Sequence, residues 1–530
     1  MGKYVNPDNS AFMSSYEDQI YVDKSGLIEY TNQVIGKASG FICNSRPRRF
    51  GKSTTANMLA AYYSKGADSK EMFSSLEIGA SPDFEKHLNK YDVIRLDIQA
   101  CLLYVNKKDD VIRFITESVV RELREIYPKS VAKKDKSLFD VLSNIYNDTG
   151  SKFVIIIDEW DVLIRDDANN TKVQEEYISF LRSIFKGVMA GRYMALAYMT
   201  GILPIKREKT QSALNNFNEY TMINPGPLAE YIGFTEDEVK TLAGKYDVDF
   251  AETKRWYDGY ILKGYQIYNP RAVVSVMLNG QFMSYWSDTA NNEIILPLIN
   301  MNFADLKDDI IKMLSGGEVP VIVQTFKNDT VSISSRDNVL TYLIHLGYLA
   351  YNGKARTAFI PNEEIRQEMG YIIADNPWKE MTAFINDSEK ILASTKMMDG
   401  AAVAEEIEKI HDRYVSALQY NDENSLVSVL LIAYLSSMNR YFKPVRELPS
   451  GKGFCDVVYI PKPESRDNSP ALVVELKWDK SALSAIDQIK AKNYPDSIKD
   501  YTDNILLVAV NYDKTTKKHG CIIEKLSVSQ

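Results

Sequence analysis

The stretch that most constrains this 530-residue chain is residues 41–55. A short apolar run, Phe41-Ile42-Cys43, leads into a turn holding Pro47 and Gly51. The turn ends in Gly51-Lys52-Ser53, and a helix-permissive run through Met58, Leu59, Ala60 and Ala61 follows. Strand, loop and helix in that order make a phosphate cradle, in which backbone N–H groups and a helix N-terminus face the anion. Lys52 is then placed to reach the β- and γ-phosphates of a nucleotide, and the Ser53 hydroxyl to ligate Mg²⁺. The general pattern G-x-x-x-x-G-K-[ST] puts its first glycine at residue 46, where this chain has Arg46. The loop loses backbone freedom there, and Arg46, Arg48 and Arg49 supply positive charge in its place. The plain alternative is a loop that ends in Gly-Lys-Ser by chance.

A second stretch argues against chance. Phe153-Val154-Ile155-Ile156-Ile157 reads as a strand buried on both faces. It ends in Asp158-Glu159-Trp160-Asp161, and carboxylates at the end of a buried strand are costly unless they serve something. A Walker B strand needs this arrangement: Asp158 holds Mg²⁺ through water, and Glu159 orients or deprotonates the attacking water. Further apolar runs at 93–98, 194–199 and 220–223 alternate with amphipathic helices. The 109–127 segment, for example, keeps Val111, Ile112, Ile115, Val119, Val120, Leu123 and Ile126 on one face. Alternation of this kind predicts a parallel sheet covered by helices. The 194–199 strand runs into Thr200, a polar residue at the end of a central strand and so a candidate sensor of the γ-phosphate, with a strand-capping hydroxyl as the plain reading. Lys206, Arg207 and Lys209 follow as weak candidates for a cationic finger offered to a neighbouring subunit, which would require a homo-oligomer.

Downstream, Asn224-Pro225-Gly226-Pro227 breaks the pattern. Thr235 and Glu238 then mark a capped helix start. The aromatic groups Trp256-Tyr257-Asp258-Gly259-Tyr260 and Tyr268-Asn269-Pro270 read as core or interface. His345 sits in an apolar helix and reads as a core histidine, and Thr357-Ala358-Phe359-Ile360 reads as a wing after that helix.

The last 130 residues hold a second constellation. An apolar helix over 424–442 precedes strand 454–460, which carries Asp456, and strand 471–477, which carries Glu475-Leu476-Lys477. Alternate strand residues share a face, so Glu475 and Lys477 point the same way. If the two strands form a hairpin, Asp456 comes beside both. Two carboxylates can hold one or two Mg²⁺ next to a scissile phosphate, and Lys477 can position water and steady charge on phosphorus. A surface strand with an ordinary Glu-Lys pair is the alternative. Helix 481–493 and strand 505–510 follow.

Arg46-Pro47-Arg48-Arg49-Phe50-Gly51-Lys52-Ser53 resembles the phosphate loop of the bacterial AAA-ATPase-like family, whose members often carry a PD-(D/E)xK nuclease superfamily domain. Tyr21-Val22-Asp23-Lys24, the Asp158-Glu159 pair, Thr200-Gly201-Ile202-Leu203-Pro204 and Trp256-Tyr257-Asp258-Gly259-Tyr260 also resemble that family. The resemblance implies that the fourth strand inserts between the first and third, and that Tyr21–Lys24 packs beside the base, with a plain surface turn as the alternative. It also implies a D…ExK nuclease motif in Asp456, Glu475 and Lys477, with Glu447, Gln488 and more loosely Tyr494 in auxiliary places. The expected fold is α/β: a P-loop ATPase core (1–224), a helical lid (225–280), a helical, winged-helix-like linker (281–400) and a nuclease-like domain (401–530). Arg48, Arg49, Phe50, Gly51, Lys52, Ser53, Thr54 and Thr200 are the candidate nucleotide contacts. Ser53, Asp158, Asp456 and Glu475 are the candidate metal ligands, and Glu159, Asp456, Glu475 and Lys477 the candidate catalytic groups.

Composition bounds the partners. The net charge of −8 counts against a large surface for duplex phosphates. Residues 443–530 nevertheless hold 14 Lys+Arg against 12 Asp+Glu, which leaves room for a local basic groove. Four scattered cysteines suggest a reducing compartment with neither a disulfide framework nor a zinc site. No signal-like start or membrane-length apolar run is seen, so the expectation is a cytoplasmic protein without a membrane partner. The expected function is ATP binding and hydrolysis with Mg²⁺, linked to a metal-dependent nuclease acting on DNA or RNA. The alternative is a nucleotide-controlled regulatory or defence switch whose C-terminal domain binds nucleic acid or a partner without cutting.

Overall fold

The computed structural model describes all residues except 1, 167–169, 206, 209–210, 213, 287–291, 302, 329–332, 375–378, 415–422, 451–452, 492–497, 499–501, 503 and 527–530. Lys206, Lys209 and Tyr494 lie outside the described residues, as do the side chains of Arg207 and Glu447. The chain forms two compact units. The first comprises 1–250, 259–281 and 322–353, and the second 251–258, 282–321 and 354–530.

The first unit is built on a five-stranded sheet. Its strands are β1 (Phe41–Ser45), β2 (Asp92–Asp97), β3 (Phe153–Asp158), β4 (Met194–Gly201) and β5 (Asn218–Tyr220), in the order β2-β3-β4-β1-β5. All four pairings are parallel. β4 lies between β3 and β1, which brings Thr200 beside both Asn44 and the Asp158 end of β3. Every residue of β1, β3 and β4 is buried, as continuous apolar runs with helices on both faces require. Helix Val111–Ile126 buries Val111, Ile115, Val119 and Leu123, a stripe repeating every four residues. Each such side chain contributes about 1.5–3 kcal/mol of burial.

Residues 225–280 differ from a purely helical lid. The expected capped helix is there, Glu236–Tyr246, with the full Thr235–Glu238 capping box. Beside it is a small antiparallel sheet of β6 (Phe234–Thr235), β7 (Tyr260–Leu262) and β8 (Tyr265–Tyr268). β7 and β8 join through Lys263-Gly264, both at positive φ (53° and 91°), a two-residue hairpin turn. The aromatic clusters mask this period-two signal, because Tyr260 and Tyr268 serve both as strand residues and as core. Later in this unit, helix Arg336–Leu346 buries His345 against Phe326.

The second unit contains helices Glu363–Ala374, Lys379–Lys396, Gly400–Tyr414 and Glu423–Ala433. The apolar segment expected as one helix over 424–442 is helical to Ala433, then forms a 3₁₀ turn over Leu435–Asn439. Its sheet runs β9 (Val445–Ser450), β10 (Gly453–Tyr459), β11 (Ala471–Trp478), β12 (Ile505–Asp513) and β13 (Lys518–Lys525) in chain order. β11 and β12 are parallel, with helix Ala482–Ala491 lying between them in the chain. The other neighbours are antiparallel. Glu363, Arg366 and Lys462 form a buried ion cluster. Burial raises the Glu363 pKa, but the two cations outweigh it and hold the carboxylate below its ordinary value. All four cysteines are free thiols. No helix among the described residues is long and apolar enough to cross a membrane.

Candidate functional site

β1 ends at Ser45, and the Arg46 amide donates to Gly201 O at 3.0 Å, which ties the start of the loop to the end of β4. The loop then turns through Arg49 (φ 67°) and Gly51 (φ 86°) before helix Lys52–Tyr63 begins. A Cβ at Gly51 would meet nothing within 4 Å, so glycine is required for its left-handed backbone and not for space. Phe50 is buried edge-on against Tyr260, with ring centroids 5.3 Å apart, and anchors the loop.

The loop borders a cavity of about 650 Å³ lined by residues 48–55 and by Glu159. Its lining also includes the apolar and aromatic side chains of Phe12, Ile20, Tyr21, Met58, Tyr231 and Phe234. The Tyr21–Lys24 segment therefore reaches the cavity through Tyr21, Val22 and Lys24. Lys24 is fixed by Glu238, 2.6 Å away on the capped helix. Ser53 is exposed in the first turn of its helix, where a hydroxyl can face a cation. Lys52 is buried and donates to Pro47 O at 2.9 Å, with Glu159 Oε1 at 3.9 Å. Burial lowers the Lys52 pKa, while Glu159, Asp158 and Asp161 pull it back up.

Asp158 is buried at the end of β3. It accepts the Thr200 hydroxyl and the Glu159 amide, and Arg95 stands 3.9 Å away. Thr200 is fully buried and bonded to Asp158, so it acts on that carboxylate. Glu159 has a left-handed backbone (φ 51°), which is uncommon for a residue with a side chain. Burial raises its pKa, and Lys52 and Arg165 oppose that rise. Arg165 bridges Glu159 (3.3 Å), Asp161 (3.2 Å) and Asp166 (2.7 Å). Asp161 in turn accepts the amides of Ile202 and Leu203, so the carboxylates after β3 are tied to the backbone after β4. Gly201 leaves room for this joint: a Cβ there would come within 2.5 Å of Asp161 Oδ1 and 2.7 Å of the Trp160 ring.

In the second unit β10 and β11 pair with Val457 opposite Val474, so Asp456 falls opposite Glu475. The Asp456 carboxylate accepts the Leu476 amide at 2.7 Å. Lys477 Nζ lies 2.9 Å from Glu475 Oε1, and the Gln488 side-chain amide donates to the same oxygen. Asp456, Glu475, Lys477 and Gln488 thus meet at one place. Among the described residues no group of three or more His, Cys, Asp or Glu converges as a closed metal cage. Hard carboxylate donors in ones and twos suit Mg²⁺, which keeps waters and takes its remaining ligands from substrate phosphates. The paired carboxylates of Asp456 and Glu475 fit that ion.

Sequence reasoning missed Arg271, which lines the cavity from the start of helix Pro270–Asn279. It also missed Arg165 and Arg95. Arg165 was open to discovery, because it stands four residues after Asp161 on a helical turn. Arg271 had only the Asn269-Pro270 helix start as a signal, and nothing in that signal points toward a loop 220 residues earlier.

A family profile described as a predicted AAA-ATPase matches residues 13–210, and one described as the PD-(D/E)XK nuclease superfamily matches residues 421–521. A curated relative, an uncharacterized protein in the vnfD 5′ region of Azotobacter chroococcum mcd 1, is 22% identical over 287 residues. That match covers 53% of this chain and 53% of the relative, so the chain spans about half the length of the curated relative it matches. Two solved structures of the Aeropyrum pernix ORC2 protein are remotely similar. The ADPNP-ADP complexes show 14% identity and a TM-score of 0.29, covering 70% of this chain and 99% of that one. The ADP form shows 12% and 0.25, covering 69% and 98%. Likeness at that level carries no argument, and the fold rests on the sheet order and the two profiles. Residues 13–210 thus form an AAA-ATPase-like domain, and residues 421–521 a PD-(D/E)XK nuclease superfamily domain.

Proposed function

We propose that the first unit binds and hydrolyses ATP with Mg²⁺, and that the second cuts phosphodiester bonds of a nucleic acid in a metal-dependent reaction. The observation that carries this reading is the cavity whose lining combines the 48–55 loop, apolar side chains and Glu159. The apolar and aromatic side chains of that lining accommodate a base. Lys52, Arg48, Arg49 and the amides of Gly51–Thr54 face the phosphates, and Thr200 holds Asp158 in place. Glu159 takes the proton of the attacking water, a role suited to a carboxylate whose basicity burial has raised. Bound Mg²⁺ would neutralise phosphate oxygens and, in the second unit, acidify a water. There Asp456 and Glu475 hold the ion, Lys477 steadies charge on the phosphate, and Gln488 orients Glu475.

One observation favours a second reading. Glu475 is almost fully buried, and its Oε1 is already engaged by Lys477 and Gln488. A carboxylate so engaged suits a binding module controlled by nucleotide that does not cut. Purified protein assayed with Mg²⁺ on supercoiled DNA and on single-stranded RNA decides between them. Cleavage that vanishes in Asp456→Ala supports the nuclease. Binding without cleavage in both proteins supports the switch. Phosphate release from ATP that persists in Lys52→Ala or Glu159→Gln would sink the ATPase assignment. Nuclease output unchanged by Lys52→Ala would sever the link between the two activities.

A further inference from the structure

Arg46 occupies the place of the first glycine of a phosphate loop, and its side chain is fully buried. Nη1 donates to two backbone carbonyls, Ser45 O at 2.9 Å and Tyr220 O at 3.3 Å. Nε and Nη2 have no partner. Among the described residues no carboxylate pairs with it. The other buried cations of the first unit differ: Arg165 lies against Asp161, and Lys52 has Glu159 within 3.9 Å. The polar side chain felt by Arg46 is Tyr198, a phenol held neutral by burial. That hydroxyl sits near Asn44 of β1 and Thr55 of the helix that follows the loop. A guanidinium has thus been placed in the interior, directly before the loop, with no counter-charge among the described residues.

Such a charge opposes folding. Burial pulls the Arg46 pKa down to about 10, so it remains a cation at neutral pH and its field is weakly screened. A fold that keeps it there must offset the cost with an anion that arrives later. We propose that Arg46 is a positioning residue that presets a positive potential beneath the phosphate loop, so that its burial is compensated on binding a nucleotide polyphosphate and not on folding. In most phosphate loops close backbone approach, allowed by glycine, supplies that attraction. Here a buried cation supplies part of it, which is why the substitution is tolerated. The proposal rests on the ATP reading above and extends it to selectivity for phosphate charge.

The test uses the full chain, its Arg46→Met and Arg46→Lys variants, and three Mg²⁺-loaded probes: a non-hydrolysable ATP analogue, ADP and AMP. Affinities come from calorimetry and nucleotide-free stability from thermal melting. In Arg46→Met the ATP analogue weakens by about tenfold or more, ADP by less and AMP least, because a field acts in proportion to charge. Without nucleotide Arg46→Met melts at or above the wild-type temperature, and Arg46→Lys keeps most of the affinity. Equal affinity in wild type and Arg46→Met overturns the proposal. So does an equal loss for all three probes, or an Arg46→Met protein that is less stable than wild type or unfolded without nucleotide, since each marks a purely structural guanidinium. A wild-type protein that binds none of the probes overturns the ATP reading itself, an outcome distinct from all of these.

Discussion

Arg165→Met probes the joint between the two central strands. The guanidinium spans Asp161 at 3.2 Å, Glu159 at 3.3 Å and Asp166 at 2.7 Å. Glu159 and Asp166 retain some contact with solvent, but Asp161 is fully buried. Removing the cation leaves Asp161 with the Ile202 and Leu203 amides and no ion-pair partner among the described residues, with Lys52 acting on it only through its field. Loss of one partner from a buried pair costs about 3–5 kcal/mol. Neutralising the stranded acid as well, in Asp161→Asn/Arg165→Met, should recover about 2–3 kcal/mol of that, since a buried pair exchanged for neutral groups is often close to neutral. Urea unfolding of the four proteins in the cycle measures the coupling, and amide exchange across β3 assigns it to the first unit. A coupling below about 0.5 kcal/mol would refute the view that this ion pair holds the joint. A second readout concerns chemistry. Arg165 is one of the groups that lower the pKa of Glu159, against the rise that burial imposes. Its loss makes Glu159 easier to protonate, so the acid limb of ATP turnover against pH moves upward. A limb that stays put would break the proposed connection from Arg165 to the base.

Thr200→Val removes the hydroxyl that Asp158 accepts. It should cost about 1–3 kcal/mol and raise the Mg²⁺ concentration needed for half-maximal turnover, read from a metal titration; an unshifted titration counts against a role through Asp158. Gly51→Ala meets no atom within 4 Å but keeps a φ of 86°, so its penalty is conformational alone, about 1–2 kcal/mol by thermal melting. A much larger loss would reveal a steric demand that the geometry does not contain. In the second unit, burial and the neighbouring His411 hold the His519 pKa at about 3. Unfolded histidine titrates near ~6.5. Between those values the unfolded chain binds a proton that the folded one refuses, so stability falls as pH drops below ~6.5, by about 1.4 kcal/mol per pH unit. His519→Phe should flatten that slope in urea midpoints taken from neutral to mildly acid pH, and an undiminished slope would assign the effect elsewhere.

Local pattern carried much of the architecture. Phe153–Ile157 reads as a doubly buried strand because five apolar residues in succession leave no face for water, and that strand is β3. The glycine at 51 and the Thr235–Glu238 cap are equally local, each set by backbone chemistry within four residues. The Asp456–Glu475 meeting was legible as well, because a hairpin converts strand spacing directly into register. The small sheet of β6, β7 and β8 was not. Its short strands carry aromatics that fit core and strand alike, and only the paired positive φ at Lys263-Gly264 separates the two.

By itself, then, the order of residues in this chain determined the long buried strands, the amphipathic helices and the short motifs that start or end them, since those follow from periodicity, capping and backbone freedom over a few residues. Only the tertiary structure decided which distant charges meet. Lys24 finds Glu238 across 214 positions, Arg271 reaches the cavity of the 48–55 loop, and Arg46 is enclosed with no acid beside it among the described residues. The physical reason is that a charge's partner, and the dielectric around it, depend on the whole packed shell of residues brought together by the sheet order, and no local pattern encodes that shell.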